Sequence, residues 1–321
     1  MKEMEEKFDI VKQVSCREKM TVNELIQEMN ASGVMGAGKL ARAVSIYEAM
    51  IRDRECKKFF GLAGAMVPGG MKNVVIDLME KHWIDVLVTT GANLTHDLIE
   101  ALGFHHFQGT HCVDDRILHK KGIDRMYDSY MKGDVYEKLE EFCLKAFKEM
   151  PRKMTIREFL WELGKRTPAS HTKSILHTAY KEKIPIFCPA ISDSGIGLMV
   201  WNEKIAKKGE AGIEVDAFDD LKEIMNLSWG EKGKQKLGSV IIGGGTPKNF
   251  IVQSFQFSPN KASYAIQITM DRPEHGGSSG AEPREAISWG KLHEKANYVN
   301  VICDATIALP IICAALKERI K

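Results

Sequence analysis

The sequence predicts an α/β fold: a Rossmann-like, doubly wound, mainly parallel sheet with a helical N-terminal extension. Three observations carry this expectation. Short runs rich in β-branched and aromatic residues end on glycine or small polar residues. After each run, apolar residues recur at helical spacing, giving the strand–turn–helix unit of a parallel sheet covered on both faces. The 321 residues are 44% hydrophobic and 27% charged, so the chain can bury a large core and lacks the composition of a disordered one.

Residues 1–55 read as the extension and residues 56–321 as the α/β part of a single domain. Thr21 followed by Glu24 has the spacing of a capping box. A second helix spans Lys39 to Asp53, with Leu40, Val44, Ile46, Tyr47 and Met50 near the helical period. Lys58 to Leu62 reads as the first strand, and the helix after it carries Val74, Val75, Leu78, Met79 and Trp83. Asp85 to Thr90 is the second strand, followed by a helix holding Leu98, Ile99 and Leu102. His105 to Lys121 reads as a polar, loop-rich excursion, and Asp134 to Arg166 as mostly helical, broken near Pro151. Alternation resumes with a helix over Ser174 to Lys181 and a strand over Ile184 to Ala190. Gly238 to Ile242, Tyr264 to Ile268 and Tyr298 to Cys303 supply further strands, and an apolar helix opens near Ala305.

Charge and cysteine usage narrow the function classes. The 45 basic and 43 acidic side chains leave a net charge near +2, which makes no case for a nucleic-acid or membrane partner. The opening MKEMEEKFDIVKQ is charged and unlike a secretory signal, and no run of eighteen apolar residues predicts a spanning helix. Seven cysteines, widely spaced and without a CxxC pair, fit reduced thiols in a cytoplasmic protein better than a disulfide frame or a zinc site. Cys188 and Cys303 lie in apolar runs and read as small buried hydrophobes.

Ligands of open parallel sheets bind beyond the carboxyl ends of the strands. Here those ends carry Gly61 to Ala65, Thr89 to Asn93, Ser192 to Gly195, Gly243 to Thr246 and Asp304 to Thr306. Small residues let a backbone approach a phosphate, and following helix N-termini offer free N–H donors. Neither a GxGxxG nor a Walker A pattern is present, so each turn alone reads as a tight connection; several converging turns read as a nucleotide or dinucleotide crevice. Asp193 and Asp304 read equally as helix caps or as ligand-binding groups. The segment Asp271 to Lys291 is a glycine-rich loop followed by a helix from Pro283, with Glu285, Trp289 and Lys291 along it. An amine against an aromatic wall and shielded from water has a lowered pKa and can attack a carbonyl or imine. Most lysines are solvated surface groups, however, and position alone leaves Lys291 among them.

The segment SGAEPREAISWGK, with GGGTPK and VLVTTGA upstream, resembles the deoxyhypusine synthase family, to which homospermidine synthases also belong. The resemblance runs from about Gly33 to Asp304 and implies homotetramers with an NAD site and active sites between paired subunits. It implies hydride transfer from a carbon beside an amine nitrogen to NAD, and attack of a lysine on the imine that results. The aminobutyl group, held on the lysine, passes to an acceptor amine: a lysine of the eIF5A-type translation factor, or a free diamine. Carried over by motif, Lys291 falls on the imine-forming lysine and Trp289 on the wall of the amine tunnel. Asp193, Gly243, Gly244 and Asp304 fall on NAD contacts, Thr90, Gly91 and Ala92 on the turn near the cofactor, and Glu285 is kept.

Departures from the family pattern are equally specific. Asn249 stands where a histidine touches the amine, His96 replaces a polyamine-binding carboxylate, and Ser278 replaces another. Leu198 takes a further acidic position, and Gly64 and Ala65 replace serine and asparagine. A polyamine needs carboxylates, because an ammonium stripped of water without a partner is costly. The pattern therefore predicts the same imine exchange with a different amine donor or acceptor, read by His96, Asp97, Glu274 and His275. Other classes remain: deoxyhypusine synthase itself, a non-catalytic subunit of a complex, or a dehydrogenase that uses the crevice without imine chemistry.

Overall fold

The computed structural model describes residues 8–168, 171–206, 212–230 and 234–320. Helices α1 (Val22–Ser32) and α2 (Met35–Arg52) come first, within the span read as a helical extension. The Thr21 hydroxyl accepts from Glu24 N at 3.2 Å and Glu24 returns a bond to Thr21 N at 2.7 Å, closing the capping box. The extension is helical only from Val22: residues 8–20 form no helix, and residues 1–7, also expected to be part of it, lie outside the described residues.

Strand β1 (Cys56–Leu62) leads through α3 (Lys72–Glu80) to β2 (Val86–Thr89) and α4 (Gly91–Ala101). The expected loop excursion carries more structure than its polarity suggested. Strands β3 (Phe107–Gln108), β4 (Ile123–Met126) and β5 (Ser129–Lys132) pair antiparallel, with α5 (Asp115–Lys120) between the first two. Next come α6 (Val135–Phe147), β6 (Lys153–Thr155) and α7 (Ile156–Arg166); β6 breaks the predicted helix because it pairs with β8 (Glu214–Asp216), distant in sequence. Helix α8 (Ile175–Lys181) precedes β7 (Ile186–Phe187), shorter than expected, and α9 (Gly195–Ala206). The chain closes with α10 (Ala217–Trp229), β9 (Lys236–Ile242), α11 (Gly245–Phe257), β10 (Ala262–Thr269), α12 (Glu285–Ser288), β11 (Leu292–Ile302) and α13 (Ala305–Arg319).

Six strands make one sheet in the order β11-β10-β9-β1-β2-β7, with every pairing parallel. The chain adds strands outward from β1 on one side, then returns to β1's other side with β9, which is the doubly wound order with its switch point between β1 and β9. Alternate residues serve the two faces. Phe60, Leu62, Val240 and Ile266 join the buried cluster that includes Val44 and Tyr47 of α2 and Leu309 of α13. Phe59, Val88, Ile241 and Ala265 pack on Ile251 and Phe255 of α11. Gly61 faces α11 too, where a Cβ would stand 2.9 Å from Ile241 Cδ1. Cys188 is buried and Cys303 half-buried, and all seven cysteines are free thiols.

Candidate active site

At the switch point a cavity of about 350 Å³ is lined by Gly64 and Ala65 after β1, Thr90, Gly91, Ala92 and His96 after β2, Asp193 after β7, and Thr246 and Pro247 after β9. Thr90 caps α4, its hydroxyl accepting from Asn93 N at 3.4 Å. Gly91 packs on the neighbouring loop: a Cβ there would lie 2.3 Å from Ser194 Cβ. Asp193 is exposed at the cavity, and no side-chain hydrogen bond of it is seen among the described residues. Asp304 lines neither this cavity nor the next; its carboxylate caps α13, accepting from Thr306 N at 2.7 Å.

A second cavity, of about 420 Å³, lies between α11, β10 and the segment 276–292. Lys291, Trp289, Glu285, Ser278 and Asn249 all line it. The Lys291 ammonium stands 5.2 Å from the Trp289 ring centroid. Trp289 is 58% exposed, so in the single chain this aromatic wall is open to water. Lys291 is not on a helix. Gly290, at φ +66°, ends α12 in a left-handed turn that longer side chains resist, and Lys291 heads β11 with its N–H on Ala286 O at 2.9 Å. Since Leu292 pairs with Ala262, and Ala262 with Leu237, Lys291 sits at the level of the strand starts.

Residues that sequence reasoning did not single out complete this groove. Burial pushes the Lys248 amine down to about 8, aided by the Lys291 charge and opposed by Glu285. Lys248 donates to Ser278 O at 2.7 Å and to Ala281 O, so it anchors the glycine loop. Gln267 donates to Ser279 O at 2.6 Å, while its buried Oε1 has no hydrogen-bond partner among the described residues. Glu282 adds a second carboxylate beside Glu285. The signal for Gln267 was one polar residue inside the apolar run YAIQI; Lys248 stood within the quoted GGGTPK. Gly243 turns at φ +75° beside Ala63, and Gly244 lies under the loop, where a Cβ would be 2.4 Å from Ser279 Cα.

The first turn of α11 separates the cavities: Thr246 and Pro247 line one, Lys248 and Asn249 the other. The residues expected to read an altered substrate do not assemble. Asp97 is fully buried and accepts from Ser174 Oγ, Ile175 N and Leu176 N at 2.7, 2.8 and 3.0 Å, which makes it an anchor of α8. His275 pairs with Asp271 at 2.8 Å and, like Glu274, is exposed away from both cavities. Of that set, His96 lines one of these two cavities and the other three line neither. Leu198 is 54% exposed on α9.

Strand order and a strand-end crevice at the switch point define a doubly wound α/β protein of the nucleotide-fold class. A sequence profile of the family described as deoxyhypusine synthase matches residues 24–316. The chain is 46% identical over 302 residues to "Probable deoxyhypusine synthase 1" of Methanosarcina mazei, covering 94% of this chain and 92% of that protein. It is 40% identical to the protein of the same description from Archaeoglobus fulgidus, covering 93% and 94%. A crystal structure from Entamoeba histolytica, assigned as a deoxyhypusine synthase, has the same fold (TM-score 0.62, 20% identity, 93% of each chain). The chain belongs to the deoxyhypusine synthase family, a family of transferases.

Proposed function

We propose that this chain is an NAD-dependent aminoalkyl transferase that works through an imine on Lys291, with an amine donor or acceptor other than the family's usual one. The carrying observation is that Lys291, Trp289, Glu285, Ser278 and Asn249 converge on one cavity. Glu282, Glu285 and the Trp289 face offer a cationic chain the acceptors it needs. Bound NAD supplies hydride abstraction from the carbon beside the amine nitrogen and returns that hydride at the end. The strand-end cavity suits the dinucleotide: small residues at Gly64, Ala65, Gly91 and Ala92 admit close backbone approach, and α4 and α11 begin there.

In this reading Lys291 attacks the substrate imine, Trp289 holds the aminoalkyl chain, and Glu285 and Ser278 bind its far nitrogen. A second copy brings its own cavity to the open Trp289 wall and completes the site in a homotetramer working in the cytoplasm, where seven free thiols persist. No helix among the described residues is long and apolar enough to cross a membrane. The names of the Methanosarcina and Archaeoglobus relatives favour a second reading, in which the acceptor is the lysine of an eIF5A-type factor.

Mass spectrometry of protein incubated with NAD and spermidine, putrescine or agmatine, then reduced with borohydride, tests the proposal. An aminoalkyl adduct on Lys291 that is lost in Lys291→Ala is the expected result, and its mass names the donor. NAD binding without any adduct would leave a non-catalytic subunit or a dehydrogenase. Adding the factor separates the two acceptors.

A further inference from the structure

His96 and Glu100 stand one turn apart on α4, so their side chains leave the same helix face. His106, from the segment after α4, fits between them. Its Nδ1 lies 2.7 Å from Glu100 Oε1 and its Nε2 lies 2.9 Å from His96 Nδ1. Lys72, at the start of α3 and 6% exposed, pairs with the other Glu100 oxygen. The series Lys72–Glu100–His106–His96 then ends at the strand-end cavity, which the His96 ring lines.

Hydrogen-bond chemistry limits where the protons sit. Burial raises the Glu100 pKa, but the bonds from His106 and Lys72 more than offset this and hold it below the usual carboxylate range. An ionised carboxylate only accepts, so His106 donates from Nδ1 to Glu100. In the arrangement inferred below, His106 Nε2 accepts from His96 Nδ1, and the His96 Nε2 keeps its lone pair. Burial pushes His96 down to about 4, so the waiting ring is uncharged. A buried ion pair is an expensive way to tie two helices together, since apolar packing does so without desolvation.

We infer that His96 is the base of the strand-end cavity, and that His106, Glu100 and Lys72 are positioning residues that fix its tautomer. The identity of the proton rests on the amine chemistry proposed above. A substrate ammonium would give one N–H proton to His96 Nε2, and NAD, held in this cavity, would take the hydrogen of the neighbouring carbon as hydride, so that the C–N bond becomes C=N. As Nε2 gains its proton, the Nδ1 proton passes to His106 Nε2. The positive charge comes to rest against the Glu100 carboxylate, which Lys72 keeps ionised, and this displacement lets a buried, weakly basic ring serve as the acceptor.

Nitrogen-15 NMR of histidine-labelled wild-type protein reads the tautomer without substrate or variant. His96 should appear neutral, protonated at Nδ1 and unprotonated at Nε2, and Glu100→Gln should disturb this signature. A charged His96, or a proton on Nε2, overturns the inference. Rapid mixing of wild-type and His96→Gln protein with NAD and each of spermidine, putrescine and agmatine should show, for the amine that wild type oxidises, nicotinamide reduction slowed by about 100- to 10,000-fold in the variant, and no reduction by wild type with any of the three would overturn the inference. The same variant given 4-aminobutanal, which needs no oxidation, should still form the borohydride-trapped Lys291 adduct. Undiminished reduction in His96→Gln sinks the base while leaving the Lys291 chemistry intact. Failure of wild-type protein to trap the aldehyde instead removes the proposed function on which the proton's identity depends.

Discussion

Asp97 separates a structural from a ligand-binding reading of the α4 acidic position, and its contacts set the size of the effect. Its carboxylate accepts three hydrogen bonds, from the Ser174 hydroxyl and from two N–H groups in the first turn of α8. Burial raises the Asp97 pKa and the three bonds oppose that rise, so each bond is worth roughly 1 kcal/mol, up to about 3 where the carboxylate is ionised, and they do not add fully. Asp97→Asn puts an amide NH₂ where donors converge and leaves buried N–H groups unsatisfied. We expect a loss of about 3–5 kcal/mol, a large part of a typical domain's stability. Ser174→Ala removes one donor and the helix cap to His177 N (3.2 Å) and should cost about 1 kcal/mol. Urea unfolding followed by circular dichroism measures both. An Asp97→Asn protein destabilised by less than about 1 kcal/mol, yet unable to bind polyamine, would refute the anchoring role and return Asp97 to the substrate site.

Other outcomes are expected. Gly91→Ala places a methyl 2.3 Å from Ser194 Cβ and should lower stability by about 1–3 kcal/mol in thermal unfolding, without any ligand present. Burial pushes the Cys56, Cys143 and Cys188 thiols up to about 12, so alkylation mapped by mass spectrometry should mark the exposed Cys16 and Cys112 first and leave those three untouched in folded protein. Burial, with Glu223 nearby, raises Asp220 to about 7 from 3.8, so its contribution to stability is lost as pH rises through that window. Asp220→Asn removes the buried charge and should therefore stabilise by on the order of 1–2 kcal/mol or more at about pH 8 and little below about pH 4, read from melting curves.

The sequence by itself determined the local chemistry. Thr21 and Glu24 were legible as a cap because both partners lie within one turn. The strands at the sheet centre were legible because burial on both faces leaves continuous apolar runs. The SWGK segment, with its lysine and tryptophan, was legible as a motif. Tertiary structure decided which residues meet. Lys153 to Thr155 is a strand only because a partner near Glu214 pairs with it, and no local pattern encodes that. The sequence could not place Lys291 relative to the strand-end turns, because a parallel sheet has two ends. Gly290 places Lys291 at the strand starts, whereas Thr90, His96 and Asp193 gather at the carboxyl ends. Asp97 and His96 are neighbours in the chain, yet successive residues on a helix diverge by about 100°. One therefore anchors a buried helix while the other faces the cavity, a division set by helix geometry and packing rather than residue type.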